Sequence, residues 1–162
     1  MTITLKKSIT KPSILNITRD NGTSTWSKLH KGLETHDLAH YAVESTLGFT
    51  KAFYGIINSG YNINDFALPR EQRPNAVRPE NLHNEAIITE HIVNLLEIEL
   101  LNSGLNENFI ENLQDILKAH NLPFPSGLNH ESLDSIRNIY HKLYNQWLIL
   151  DDTQEICIDF KP

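Results

Sequence analysis

The stretch from Thr35 to Gly60, THDLAHYAVESTLGFTKAFYGIINSG, constrains the fold of this chain more than any other. Its length and periodicity predict one long helix. At 100° per residue, Leu38, Ala42, Ser45, Phe49, Ala52 and Ile56 share one stripe. Val43, Phe53 and Ile57 lie on the flanks, so apolar residues occur nearly all round. A helix of that kind is central and touches other elements on several sides. Thr35 is the expected N-cap, Asp37 suits the positive end of the first turn, and Gly60 suits the C-terminal cap. The helix therefore reads as two parts in series. Its first turns, His36 to Glu44, are polar; the rest, Leu47 to Ile57, is an apolar strut.

The segments around it supply a scaffold. Residues 2–9 and 13–19 alternate weakly, with Ile3 and Leu5, then Leu15 and Ile17, on one face. Asp20-Asn21-Gly22-Thr23 follows, and Asn-Gly is the strongest short signal for a type I′ hairpin, whose two central residues need positive φ. Residues 23–29, with Trp26, form the return strand. After a proline-rich connection over 61–78, further helices are expected over about 79–102, 107–120 and 131–150. Leu133, Ile136, Tyr140, Leu143 and Trp147 make a regular core seam on the last. Residues 155–160 alternate as a strand whose natural partner is the N-terminal sheet. The expected class is α+β: a small antiparallel sheet of the N-terminal hairpin or meander plus the C-terminal strand, packed on about four helices. With 162 residues, a single domain spanning 1–162 is expected.

A formal charge of −6 argues against a nucleic-acid or anionic-membrane binder. One cysteine, Cys157, cannot make an internal disulfide, and MTITLKKSITKPS has no apolar signal region, so a cytoplasmic setting is expected. No run of residues is long and apolar enough for a membrane helix. P-loop, GxGxxG and nucleophile-elbow motifs are absent.

In residue detail, His36-Asp37-Leu38-Ala39-His40-Tyr41-Ala42-Val43-Glu44 and Phe53-Tyr54-Gly55 resemble a group of small uncharacterised bacterial proteins. Those have an N-terminal hairpin, an HDLxHYxVE helix, and a terminal strand after a Trp-containing helix. The resemblance implies the architecture and singles out the helix; it implies no reaction.

The chemistry concentrates on the same helix. His36 and His40 are four apart, so both rings can reach one point, as in the H-E-x-x-H helix of zinc proteases. Glu44 continues the stripe and is a candidate third ligand. Three ligands would leave an open position for water on a divalent transition metal such as zinc. His83 and His91 on the second helix, with Glu90 beside the latter, could complete the shell if the two helices pack antiparallel. The motif here is H-D-x-x-H, and Asp37 is one methylene shorter than the zinc-protease base, so a protease is not read. Asp37 remains a candidate catalytic or orienting carboxylate. Arg70, Arg73 and Arg78, in the proline-stiffened loop before the second helix, are candidates for holding a small anion.

Two readings follow. One is a metal-binding protein, extending to a small metal-dependent hydrolase. The other is a non-catalytic interaction or structural module with no metal, in which Asp37 serves only the helix end and the apolar helix serves a core and a homodimer interface.

Overall fold

The computed structural model describes all residues from Met1 to Pro162. The chain runs β1 (Thr2–Lys6), β2 (Ser13–Thr18), β3 (Ser24–Leu29), α1 (Leu33–Leu47), α2 (Phe53–Asn58), α3 (Asn84–Asn102), α4 (Phe109–Ala119), α5 (His130–Ile149) and β4 (Glu155–Asp159). It is an α+β fold. Four antiparallel strands in the order β3-β2-β1-β4 pack on the helices. The pairing Ile3↔Ile17 and Ile3↔Ile158, with Leu5↔Leu15 and Leu5↔Ile156, aligns the apolar residues of three strands on the inner face. Trp26, Asn16, Thr4 and Cys157 line up on the outer face. The amide of Phe160 donates to the Met1 carbonyl, so the two ends of the chain lie side by side.

The β2–β3 turn differs from the expected type I′. Of its residues only Gly22 has positive φ, at 82°. The Gly22 amide donates to the Arg19 carbonyl, and the Arg19 amide to Thr23. This is a type I turn closed by a glycine in the left-handed region, the three-residue hairpin solution. Asn21 instead turns its Oδ1 back to the Thr23 amide and hydroxyl.

The expected long helix is two helices. α1 starts at Leu33, two residues before Thr35, with Gly32 as its cap, and ends at Leu47. Gly48 takes φ 66°, and the chain breaks before α2. The sequence periodicity continues across the break because Phe53, Ile56 and Ile57 still pack inward from α2. The break is held by carboxylates that collect the freed amides. Glu44 Oε2 accepts from Tyr54 and Gly55. Glu85 Oε2 accepts from Thr50 and Lys51. The second turn comes so close to α2 that a Cβ at Gly55 would lie 2.3 Å from the Thr50 carbonyl group.

α1 packs between α3 and α5. Tyr41 Oη donates to the Asp159 carbonyl, and the Tyr54 ring lies 5.7 Å from that of Phe160, which tie α1 and α2 to the end of β4. Buried residues on sheet and helices form one continuous apolar cluster. The seam of α5 is buried throughout, each side chain contributing about 1.5–3 kcal/mol. The start of the second helix also moves: residues 79–81 form a separate 3-10 turn, and α3 begins at Asn84 with His83 as its cap. No helix is long and apolar enough to cross a membrane.

Candidate metal centre

Two helices build the site. On α1, the four-residue spacing puts His36 and His40 on one face. On α3, Glu90 and Glu97 are seven apart, two turns on one face. The helices run antiparallel, so Glu97 meets His36 while Glu90 meets His40. His40 Nε2 lies 3.2 Å from His36 Nε2 and 3.3 Å from Glu90 Oε1. His36 Nε2 lies 3.7 Å from Glu90 Oε2. His36, His40 and Glu90 thus form a group of donors that could hold a metal ion.

The outer nitrogens are also fixed. His40 Nδ1 faces Glu44 Oε1 at 3.3 Å, and His36 Nδ1 faces Glu97 Oε1 at 3.2 Å. In a neutral ring, a carboxylate opposite Nδ1 favours the tautomer with its proton on that nitrogen and leaves the Nε2 lone pair free. With both rings neutral, two lone pairs and Glu90 face one another within hydrogen-bonding range, an arrangement that either a metal ion or a proton on one ring satisfies.

Glu44 therefore does not join the convergent group. It is fully buried and sits on the Nδ1 side of His40, where the i, i+4 spacing brings it to the nearer ring nitrogen, while its second oxygen caps α2. The carboxylate that meets both Nε2 atoms is Glu90. Glu97 escapes a reading of the sequence altogether; its only signal there is its heptad spacing from Glu90.

Burial alone would depress the basicity of His40; the hydrogen bonds to Glu44 and Glu90 outweigh it and push the group up to about 10. Glu90 is pulled below its ordinary range chiefly by its hydrogen bond to His40. Glu44 is pushed up by burial. Asp37 is pushed up to about 7, first by burial and then by the neighbouring carboxylates, against the attraction of His40. It is not in the first helical turn. That place belongs to Glu34, whose Oε2 accepts from the Gly32 amide at 2.7 Å. Asp37 Oδ2 is buried without a hydrogen-bond partner.

The other candidates lie elsewhere. His83 Nδ1 accepts from the Glu85 amide at the start of α3. The His91 ring stacks on His120 with centroids 4.9 Å apart. Arg70 pairs with Glu80. Arg73 donates to the Leu68 carbonyl, and Arg78 to the Arg73 carbonyl. All three arginines are thus engaged inside the 61–82 connection. No protein family, curated protein or solved structure matches the chain.

Proposed function

We propose that this protein binds a divalent transition metal through His36 Nε2, His40 Nε2 and the Glu90 carboxylate. The observation that carries the reading is the pair of opposed Nε2 atoms, 3.2 Å apart, each with its other ring nitrogen against its own carboxylate. Carboxylate–histidine–metal chains of this kind fix the tautomer and raise ligand basicity. Donor separations of 3.2, 3.3 and 3.7 Å compare with about 3.4 Å along a tetrahedron edge for bonds of about 2.1 Å. Two nitrogens and a carboxylate suit zinc and its neighbours, not calcium or magnesium. Three protein donors leave a fourth position for water or ligand, the pattern of catalytic zinc sites.

A second reading has one observation in its favour. The upward push on His40 describes an imidazolium held by Glu44 and Glu90, a structural ion pair in which a proton stands where the metal would. Elemental analysis of protein purified without chelator separates the two. Metal binding gives about one zinc-class ion per chain. At a hundredfold excess over the dissociation constant it adds about 2.7 kcal/mol of stability, roughly 5–10 °C in Tm. Absence of metal, with Tm unmoved by zinc, cobalt or nickel, leaves the ion pair.

A further inference from the structure

One concavity lies apart from the histidine pair and carries the opposite charge. It forms where three segments meet: the β1–β2 connection from Lys7 to Ser13, the β3–α1 connection at Lys31, and the last turn of α5 at Trp147 and Leu148. Its volume is about 610 Å³, within the range of small-molecule sites. None of His36, His40 and Glu90 lines it.

The chain as a whole has a formal charge of −6, yet this wall holds Lys7, Lys11 and Lys31 against a single carboxylate, Glu34. Glu34 is buried, and its Oε2 accepts from the Gly32 amide at the positive end of α1. Asp152, which does not line the cavity, is turned to the Ile9 amide. Lys11 and Lys31 are exposed, and neither is in an ion pair. Lys7 is fixed in place. Its Nζ donates to the Trp147 and Leu148 carbonyls at 2.8 and 3.1 Å and stands 5.5 Å from the centre of the Trp147 ring. Carbonyls bear no full charge, so the ammonium keeps its own, and one of its three N–H groups remains for a ligand. A cation already held loses little side-chain freedom when an anion arrives. The loop that carries Lys11 is held as well: the Ser8 amide donates to Ser13 Oγ, and the Lys11 amide to Ser8 Oγ.

Apolar groups share the same wall. Ile9 and Leu148 line it at 71% and 54% exposure, beside the buried Trp147. A cationic ligand meets like charge here, and a bare inorganic anion leaves Ile9 and Leu148 in water. We infer that this concavity binds a small amphiphilic anion, a carboxylate or phosphate monoester on an apolar body. Lys7, Lys11 and Lys31 serve the head group; Ile9, Trp147 and Leu148 serve the body. The site is independent of metal binding by His36, His40 and Glu90.

Amide and indole N–H resonances of the ¹⁵N-labelled full chain test this, with octanoate, octyl phosphate, octylamine and acetate titrated at fixed ionic strength. Octanoate or octyl phosphate shifts the Trp147 indole and the amides of Ser8, Ile9, Lys11 and Lys31 saturably, with a dissociation constant of about 1 mM or below. The tighter of the two identifies the head group. Acetate and octylamine act at concentrations at least about fivefold higher. Octylamine binding as tightly as both anions overturns the charge selection, and acetate binding as tightly as octanoate overturns the apolar one. Saturable shifts absent from these residues with both octyl anions overturn the site. The Lys11→Gln/Lys31→Gln variant changes only exposed side chains. It is expected to fold as before and to bind the octyl anions roughly three- to tenfold more weakly, whereas undiminished affinity in it overturns the assignment of the head-group lysines.

Discussion

His36 and His40 differ in what stands behind each ring, and this separates binding from stability residue by residue. Glu97 holds His36 from a partly exposed position, whereas Glu44 is buried and has two further duties at the start of α2. Glu97→Ala is expected to weaken metal binding about 10- to 100-fold with little change in stability. Glu44→Ala leaves the amides of Tyr54 and Gly55 buried and unpaired, at about 1–3 kcal/mol each, in addition to weakening the metal. Competition with a chromophoric chelator reads the first property and urea unfolding the second. If Glu97→Ala unfolded as readily as Glu44→Ala, the division of labour drawn here would be wrong. His36→Ala and Glu90→Ala remove donors outright and are expected to abolish stoichiometric binding in a folded protein.

Among the elements, the turn between α1 and α2 fixes the site, because it anchors the Glu44 carboxylate that orients His40. Gly55 is its tightest point. A methyl group there meets the Thr50 backbone at 2.3 Å, and backbone cannot rotate away as a side chain can. Gly55→Ala is expected to cost roughly 2–4 kcal/mol, read as a lower urea midpoint with unchanged slope, although alanine is the better helix former. A neutral or stabilising result would show that α2 shifts freely.

This turn also marks where sequence reasoning runs out. Strand positions, the α5 seam and the end of α3 follow from alternation, three-four spacing and Ser103-Gly104, all of them local signals. The break at Gly48 is hidden because the apolar pattern resumes in phase on α2, and because the carboxylate that stabilises it, Glu85, comes from 35 residues away. The same limit applies at the site. The pair His36/His40 is legible from spacing, and Glu90 from the condition that α3 packs antiparallel. The roles of Glu44 and Glu97 depend on which nitrogen of each ring they face, and that is set only by the packing of α1 against α3.

For the whole molecule, one apolar cluster joins the inner face of the sheet to all five helices. The 1–162 chain is therefore proposed to unfold as a single domain, with fluorescence and far-UV circular dichroism giving coincident transitions. Rising pH provides a more specific test of that core. Tyr54 and Tyr140 are buried, and burial, the largest cause in both, holds their phenols above the ordinary value of 10.0. In the unfolded chain they ionise near 10; in the folded chain they keep their protons beyond it. The native state then binds more protons than the unfolded one, so their contribution to stability is complete below about 10 and is lost as pH rises above it. Tyrosinate absorbance from these two residues is expected to appear together with loss of secondary structure, whereas reversible ionisation of all five tyrosines in a folded chain would contradict the buried assignment. Tyr140 Oη has no hydrogen-bond partner, so Tyr140→Phe removes an unsatisfied polar group. It is expected to leave neutral-pH stability unchanged or raise it by up to about 1–2 kcal/mol, and to move the alkaline transition to higher pH. Tyr54 Oη instead donates to the Asp37 carbonyl at 3.1 Å, so Tyr54→Phe gives up a bond beside the site and is expected to be destabilising by about 1 kcal/mol. Opposite signs for two buried Tyr→Phe changes at neutral pH, with the alkaline transition moved upward in Tyr140→Phe, tie the packing of the core to the helix that bears the proposed metal donors.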